Sequence, residues 1–125
     1  MTKRKFHIGD ILSMTGEKLV SPNRIGGVYE IANYMTHDNL MTHQLIRAHK
    51  VCGPALLEQF PQLRDVDESG VTKETWRTWL DEQIAKFGEF LEVEPLPEGR
   101  WRYQDPITEA EAMVGEDRVV VVKAV

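Results

Sequence analysis

A chain of 125 residues, of which 42% are hydrophobic and 28% charged, is long enough for one globular domain and too short for two. Its single cysteine excludes an internal disulfide and favours a reducing compartment. No long apolar run follows the basic start, so we expect neither a signal peptide nor a membrane span. We therefore expect one cytoplasmic domain over residues 1–125, with residues 1–5 as a frayed tail.

The net charge of −5 is unevenly distributed along the chain. Residues 1–57 carry seven Lys and Arg against four Asp and Glu, whereas residues 58–98 carry four against eleven. A basic first half beside an acidic middle can steer an encounter with a charged partner, although two solvated faces would give the same pattern.

Two helices separated by a polar turn are predicted over residues 22–52, and we expect the domain to be organised around the stretch from Ser21 to Pro61 that contains them. Ser21 and Thr42 are placed as the N-caps of the two helices. The second helix is expected to stop at Gly53-Pro54, before a short third one. Gly26-Gly27 inside the first helix costs about 1 kcal/mol per residue relative to alanine, which indicates close approach by another element or by a ligand.

The remaining chain predicts short strands and further helices. Strands are expected near residues 6–8, 89–94 and 118–124, the last because it is rich in valine. Asp10 is placed to cap a brief helical turn, and residues 72–87 have the apolar spacing of an amphipathic helix. The prediction is an α+β domain with four or five helices packed on a small two- or three-stranded sheet.

Two groups of side chains are candidates for partner binding. His43, Arg47 and Lys50 are spaced four and three residues apart, which places them along one face of the second helix. Side chains of these types contact phosphates and base edges, although the turn within residues 22–52 is long for a helix–turn–helix and the domain is acidic. The second group has the residue types that dominate protein interfaces, or alternatively covers a sheet edge: Arg100, Trp101, Arg102 and Tyr103.

No catalytic or metal-binding motif is complete in the sequence. His49 and Cys52 could share a ligand face, but no second cysteine or carboxylate cluster completes four ligands. Cys52 lies in the last turn of the predicted helix, where the helix dipole raises a thiol pKa, so a packing role is favoured over a nucleophile. We expect no metal, no cofactor and no enzymatic activity, and the roles of His37, His43 and His49 stay open.

Several segments, most of them in the first half, form a recognisable pattern. They are Ile8-Gly9-Asp10-Ile11-Leu12-Ser13, Leu19-Val20-Ser21-Pro22, Ile25-Gly26-Gly27-Val28-Tyr29, Asp38-Asn39-Leu40, Thr42-His43-Gln44-Leu45, the neighbourhood of Cys52, and Pro61-Gln62-Leu63. The pattern resembles that of a family of small uncharacterised proteins encoded by tailed phages and prophages. His37 and Ile46 depart from it, because the family pattern has glycine before the Asp-Asn and proline after the Gln-Leu.

The resemblance implies a phage or prophage origin and carries no established activity and no catalytic residues. By analogy with small phage accessory proteins, we expect a non-enzymatic protein that binds a host protein in the bacterial cytoplasm, with counter-defence of the anti-CRISPR or anti-restriction type as the specific role. A nucleic-acid-binding regulator is the alternative hypothesis, and a small cysteine/histidine enzyme is the third. We expect no membrane partner and leave a homodimer open.

Overall fold

The computed structural model describes residues 3–101 and residue 107. In chain order these form β1 (Arg4–His7), α1 (Ile8–Thr15), α2 (Arg24–Thr36), α3 (Leu45–Gln59), α4 (Trp76–Phe87) and β2 (Phe90–Val93), with 3-10 helices at Thr42–Gln44 and Pro61–Asp65. The four helices pack with the antiparallel pair β1–β2, so the prediction of an α+β fold is confirmed. The predicted strand near 118–124 lies outside the described residues.

Helix α1 is the centre of this fold, although it has only 8 residues. Every residue from Ile8 to Met14 is buried, and α1 contacts α2, α3 and α4. His7 caps its N-terminus, because the Nδ1 atom of the ring accepts a hydrogen bond from the Gly9 amide at 2.9 Å. The prediction that Asp10 caps this helix is therefore wrong, and α2 and α3 pack around α1 instead of forming the centre themselves.

The strand pair leads directly into α1. The amide of Ile8 donates to the carbonyl oxygen of Glu89 at 2.7 Å, which continues the ladder between β1 and β2. Just after β2, the side-chain amide of Gln59 accepts from the Glu94 amide at 2.9 Å and donates to the Glu94 carbonyl at 3.0 Å. The predicted strands near residues 6–8 and 89–94 are thus present, and residues 4 and 5 belong to β1, not to a frayed tail.

Helix α3 is continuous through Gly53-Pro54, where the sequence predicts a break. Proline at this position cannot donate to the Lys50 carbonyl, which costs about 3 kcal/mol in a helix interior. The flanking residues Cys52 and Leu56 are fully buried, so packing offsets this cost and holds the two halves in line. Gly53 allows the close crossing with α1, because a Cβ there would lie 2.8 Å from the carbonyl oxygen of Met14.

Helices α2 and α4 begin later than the sequence predicts, at Arg24 and Trp76. The Ser21 hydroxyl oxygen accepts from the Asn23 amide at 3.0 Å and donates to Asp10, so it shapes the turn before α2 instead of capping the helix. The Thr72 carbonyl accepts from the Trp76 amide at 2.9 Å and closes a turn before α4. Ser21 and Thr72 therefore order the turn that precedes each helix, and each helix begins a few residues later than expected.

Candidate partner-binding surface

An apolar cavity of about 340 Å³ opens where the end of α1, the loop after it, and the first turns of α2 and α3 meet. Six of its lining residues are apolar: Met14, Leu19, Ile25, Val28, Leu45 and Ile46. Leu19, Ile25 and Ile46 are 50%, 51% and 54% exposed, so three bulky side chains surround one opening. We call this feature the α1–α3 cavity. Single exposed apolar residues are ordinary, but a cluster around a cavity is the usual form of an interaction site.

A second depression of about 310 Å³ lies beside the α1–α3 cavity and shares Lys18 and Leu19 with it. Its opposite wall is formed by Val71, Thr72 and Lys73, which precede α4, and by Trp76, the first residue of α4. The Lys18 ammonium donates to the carbonyl oxygen of Val71 at 2.8 Å, which ties the loop after α1 to the segment before α4. The wall between the two depressions is therefore fixed to the rest of the domain.

A buried hydrogen-bond network holds the loop after α1 in place. The Ser21 hydroxyl donates to the Asp10 carboxylate, and the Ser13 hydroxyl accepts from the Val20 amide at 2.9 Å. All three of these polar side chains are buried, and hydrogen bonding of this kind is what makes their burial tolerable. Because Val20 is anchored and buried, the preceding residue, Leu19, is directed to the surface between the two depressions.

The two adjacent glycines of α2 have different surroundings. A Cβ at Gly27 would overlap the Asp10 carboxylate and lie 2.8 Å from the Ser21 hydroxyl oxygen. A Cβ at Gly26 would meet no atom of residues 3–101 or 107 within 4 Å. Of the two glycines, Gly27 is therefore the one at which another element approaches closely, and the approaching groups are the side chains of Asp10 and Ser21.

The three histidines whose roles the sequence leaves open lie in three different places. His37 ends α2 in the left-handed conformation, with φ of 55°. His43 belongs to the 3-10 helix before α3. His49 lies on α3 with Nε2 2.5 Å from the Gly16 carbonyl oxygen, so this nitrogen donates its hydrogen and holds the end of α1. His49 also lines the α1–α3 cavity, where it acts as part of the wall.

The two predicted groups of partner-binding residues come together in the structure. The Arg47 guanidinium lies over the Trp101 ring, 3.8 Å from its centroid, and the Trp101 indole N–H donates to Asp38 at 3.1 Å. Arg100 pairs with Glu58 of α3, with 3.8 Å between the charged atoms. These contacts hold the segment after β2 against α3 and the turn before it. Arg47 and Trp101 thus form an intramolecular cation–π contact.

The face predicted for nucleic-acid contact is not a single row of side chains. Arg47 is directed to Trp101, whereas Lys50 lines the α1–α3 cavity. His43 precedes α3, because the predicted regular helix begins with a 3-10 turn. The remaining members of the second group, Arg102 and Tyr103, lie outside the described residues.

Sequence reasoning missed Leu19, Ile25 and Ile46 as surface residues. Ile25 has the same helical spacing as the buried Val28, and periodicity alone does not separate the two. The available signal was the position of Ile46 and Ile25 in the first turns of their helices, where a side chain is less covered by its own helix. The positions of Ile25 and Ile46 do not by themselves predict a cavity, because the cavity also depends on the conformation of the loop between α1 and α2.

Cys52 is fully buried on α3, and burial raises the pKa of its thiol to about 12. A thiol of this kind is protonated at neutral pH, which is the opposite of what a cysteine nucleophile requires. Within residues 3–101 and 107, no group of three or more His, Cys, Asp or Glu side chains is placed to hold a metal ion. Over the same residues, no helix combines the length and apolar character needed to cross a bilayer.

Residues 6–66 match the model of a family described as a domain of unknown function, DUF7736. The matched region runs from β1 to just beyond the second 3-10 helix and includes every lining residue of the α1–α3 cavity. The opposite wall of the second depression, with Lys73 and Trp76, follows the matched region. No curated protein and no solved structure matches the chain.

Proposed function

We propose that this protein is a non-enzymatic accessory protein of tailed phages or prophages that acts by binding a host protein. The observation that supports this is the α1–α3 cavity with Leu19, Ile25 and Ile46 half exposed around it. Contiguous apolar surface of this kind marks interaction sites on soluble proteins. The phage or prophage origin is supported by the resemblance of the first half of the chain.

Burial of the apolar side chains around the cavity would contribute the hydrophobic free energy that stabilises protein interfaces. Complete burial of a leucine or isoleucine side chain contributes about 1.5–3 kcal/mol, so covering the exposed half of one contributes about 1 kcal/mol. Three such side chains together correspond to about two orders of magnitude in affinity. A nucleic-acid site instead draws its affinity from cations directed at phosphates.

The basic side chains that the nucleic-acid hypothesis requires are not all available to contact phosphates. Arg47 already stacks on Trp101, and residues 58–98 carry eleven acidic side chains against four basic ones. Such an acidic region repels a duplex at low salt. We therefore place host-protein binding before nucleic-acid binding, and inhibition of a CRISPR or restriction system is the specific role to examine first.

The proposal is tested by photo-crosslinking in living bacterial cells. A benzophenone amino acid replaces Ile46 in one variant and Met41 in a control, because Met41 is 53% exposed and does not line the α1–α3 cavity. We expect a discrete adduct with a host protein from position 46 only, and its loss when Leu19→Asp is added. The captured protein is identified by mass spectrometry, and plating of phage on cells with and without a defence system then tests the specific role.

Two results would contradict the proposal. One is a crosslinking result in which position 46 gives no adduct, or gives the same adducts as the control position 41. The other is a salt-sensitive gel shift of random-sequence DNA that Arg47→Ala abolishes, because this would make the cationic side of α3 the binding surface.

A further inference from the structure

We propose that the α1–α3 cavity and the depression beside it form one docking site for an acidic segment of the partner that carries two bulky apolar side chains. The inference rests on the proposed function and adds to it the chemistry of the bound segment. It predicts which residues of the partner enter the site and which surround them.

The arrangement of the two depressions suits a single segment with two anchors. They share the wall formed by Lys18 and Leu19, so a chain that crosses Leu19 reaches both. Volumes of about 340 and 310 Å³ are at the lower end of the range for pockets that bind small organic ligands, which suits an inserted side chain in each. Trp76 provides an aromatic wall in the second depression, as Ile25 and Ile46 provide aliphatic walls in the first.

The charges around the two depressions determine the chemistry of the segment. Lys18, Lys50 and Lys73 are lining residues, whereas Glu17 is the one carboxylate among the described residues that line the two depressions. Lys50 and Lys73 are exposed, and neither makes a salt bridge with another described residue. Acidic side chains that flank the apolar anchors would complement these cations and guide the encounter. A basic segment would be repelled by the same three lysines.

The probe for the test is a library of random peptides of about 12 residues, long enough for three helical turns, displayed on yeast. The library is sorted against the purified full-length protein. We expect the enriched peptides to share a net negative charge and two bulky apolar residues. The most enriched peptide is then synthesised with a fluorophore, and its dissociation constant is measured by fluorescence anisotropy.

Matched variants locate the bound peptide on the protein. Ile46→Asp and Leu19→Asp should each weaken binding by at least about tenfold, whereas Met41→Asp should change it by less than about twofold. Aspartate at position 46 lies in the first turn of α3, where a negative charge favours the helix, and circular dichroism checks that each variant is folded.

A second set of variants tests the charges. Lys50→Glu and Lys73→Glu should each weaken binding by about threefold at low salt and less at high salt, because exposed ion pairs are screened. Lys86→Glu, at an exposed position that lines neither depression, should leave binding unchanged. If no peptide is enriched, if the enriched peptides are basic, or if Met41→Asp weakens binding as much as Ile46→Asp, the inference is wrong. A dimer in sedimentation velocity that Ile46→Asp dissociates would also overturn it, because a second copy would then occupy the site.

The peptide experiment and the crosslinking experiment test the two proposals independently, so one proposal can be contradicted while the other is retained. Peptide binding at the two depressions without a host-protein adduct would retain the docking site and contradict the proposed function. An adduct from position 46 without any enriched acidic peptide would retain the proposed function and contradict the proposed chemistry of the partner.

Discussion

Alanine substitutions at the adjacent positions Gly26 and Gly27 should change stability in opposite directions. Both residues lie in the first turns of α2 and have helical neighbours, so the intrinsic gain from replacing glycine is similar at the two sites. Among the described residues, a Cβ at Gly26 meets no atom within 4 Å, whereas a Cβ at Gly27 overlaps the Asp10 carboxylate and lies 2.8 Å from the Ser21 hydroxyl oxygen. Comparing Gly26→Ala with Gly27→Ala therefore separates the effect of contact with Asp10 and Ser21 from the effect of helix propensity.

The magnitudes follow from these surroundings. Gly26→Ala should raise the free energy of unfolding by about 0.5–1 kcal/mol, because alanine loses less conformational freedom on folding. Gly27→Ala has the same gain, but the Asp10 side chain must move and its hydrogen bond with Ser21 is disrupted. Overpacking costs about 1–3 kcal/mol, and an unsatisfied buried polar group adds about 1–3 kcal/mol. The net loss for Gly27→Ala should therefore be about 1–5 kcal/mol.

Urea titrations followed by circular dichroism measure both free energies of unfolding under identical conditions. If Gly27→Ala is as stable as Gly26→Ala, the Asp10 side chain does not occupy the position that the structure gives it. The description of the loop after α1, and with it the wall between the two depressions, would then be wrong.

Two further predictions concern α3. Burial raises the pKa of the Cys52 thiol from 9.0 to about 12, so the folded state keeps a proton that the unfolded state loses above pH 9. Wild-type protein should therefore lose stability between pH 9 and pH 12 more steeply than Cys52→Ala, by up to about 1.4 kcal/mol per pH unit, and equal slopes in urea titrations above pH 9 would contradict this burial. A double-mutant cycle with Arg47→Ala and Trp101→Ala should give a coupling free energy of about 0.5–1 kcal/mol, and additive effects would show that the stacked pair does not form in solution.

The fold class was predictable because apolar spacing and turn residues identify most elements of the chain. The centre of the fold was not, because α1 has only 8 residues and its polar residues Asp10 and Ser13 are buried together with its apolar ones, which apolar spacing does not indicate. The break expected at Gly53-Pro54 also depended on local rules. Packing of Cys52 and Leu56 against the core outweighs those rules, and only the tertiary structure shows it.

The candidate surface was less predictable than the fold. Lys50 was identified as a candidate from its spacing, but its position at the α1–α3 cavity depends on the loop that carries Leu19. That loop is placed by Asp10 and Ser21, two polar residues whose burial no sequence rule indicates. Arg47 and Trp101 were assigned to separate groups because 54 positions separate them, and local spacing does not detect a contact over that distance.

The two positions at which the sequence departs from the pattern that it resembles, residues 37 and 46, have different consequences for this chain. His37 takes the left-handed conformation at the end of α2, with φ of 55°, where a glycine avoids a cost of about 1 kcal/mol. Ile46 lies in the first turn of α3, where proline is also compatible with the helix, but isoleucine adds a half-exposed branched side chain to the mouth of the cavity. His37 thus lowers the stability of the end of α2. Ile46 enlarges the apolar surface available to a partner, so the affinity that we propose for this site depends in part on Ile46.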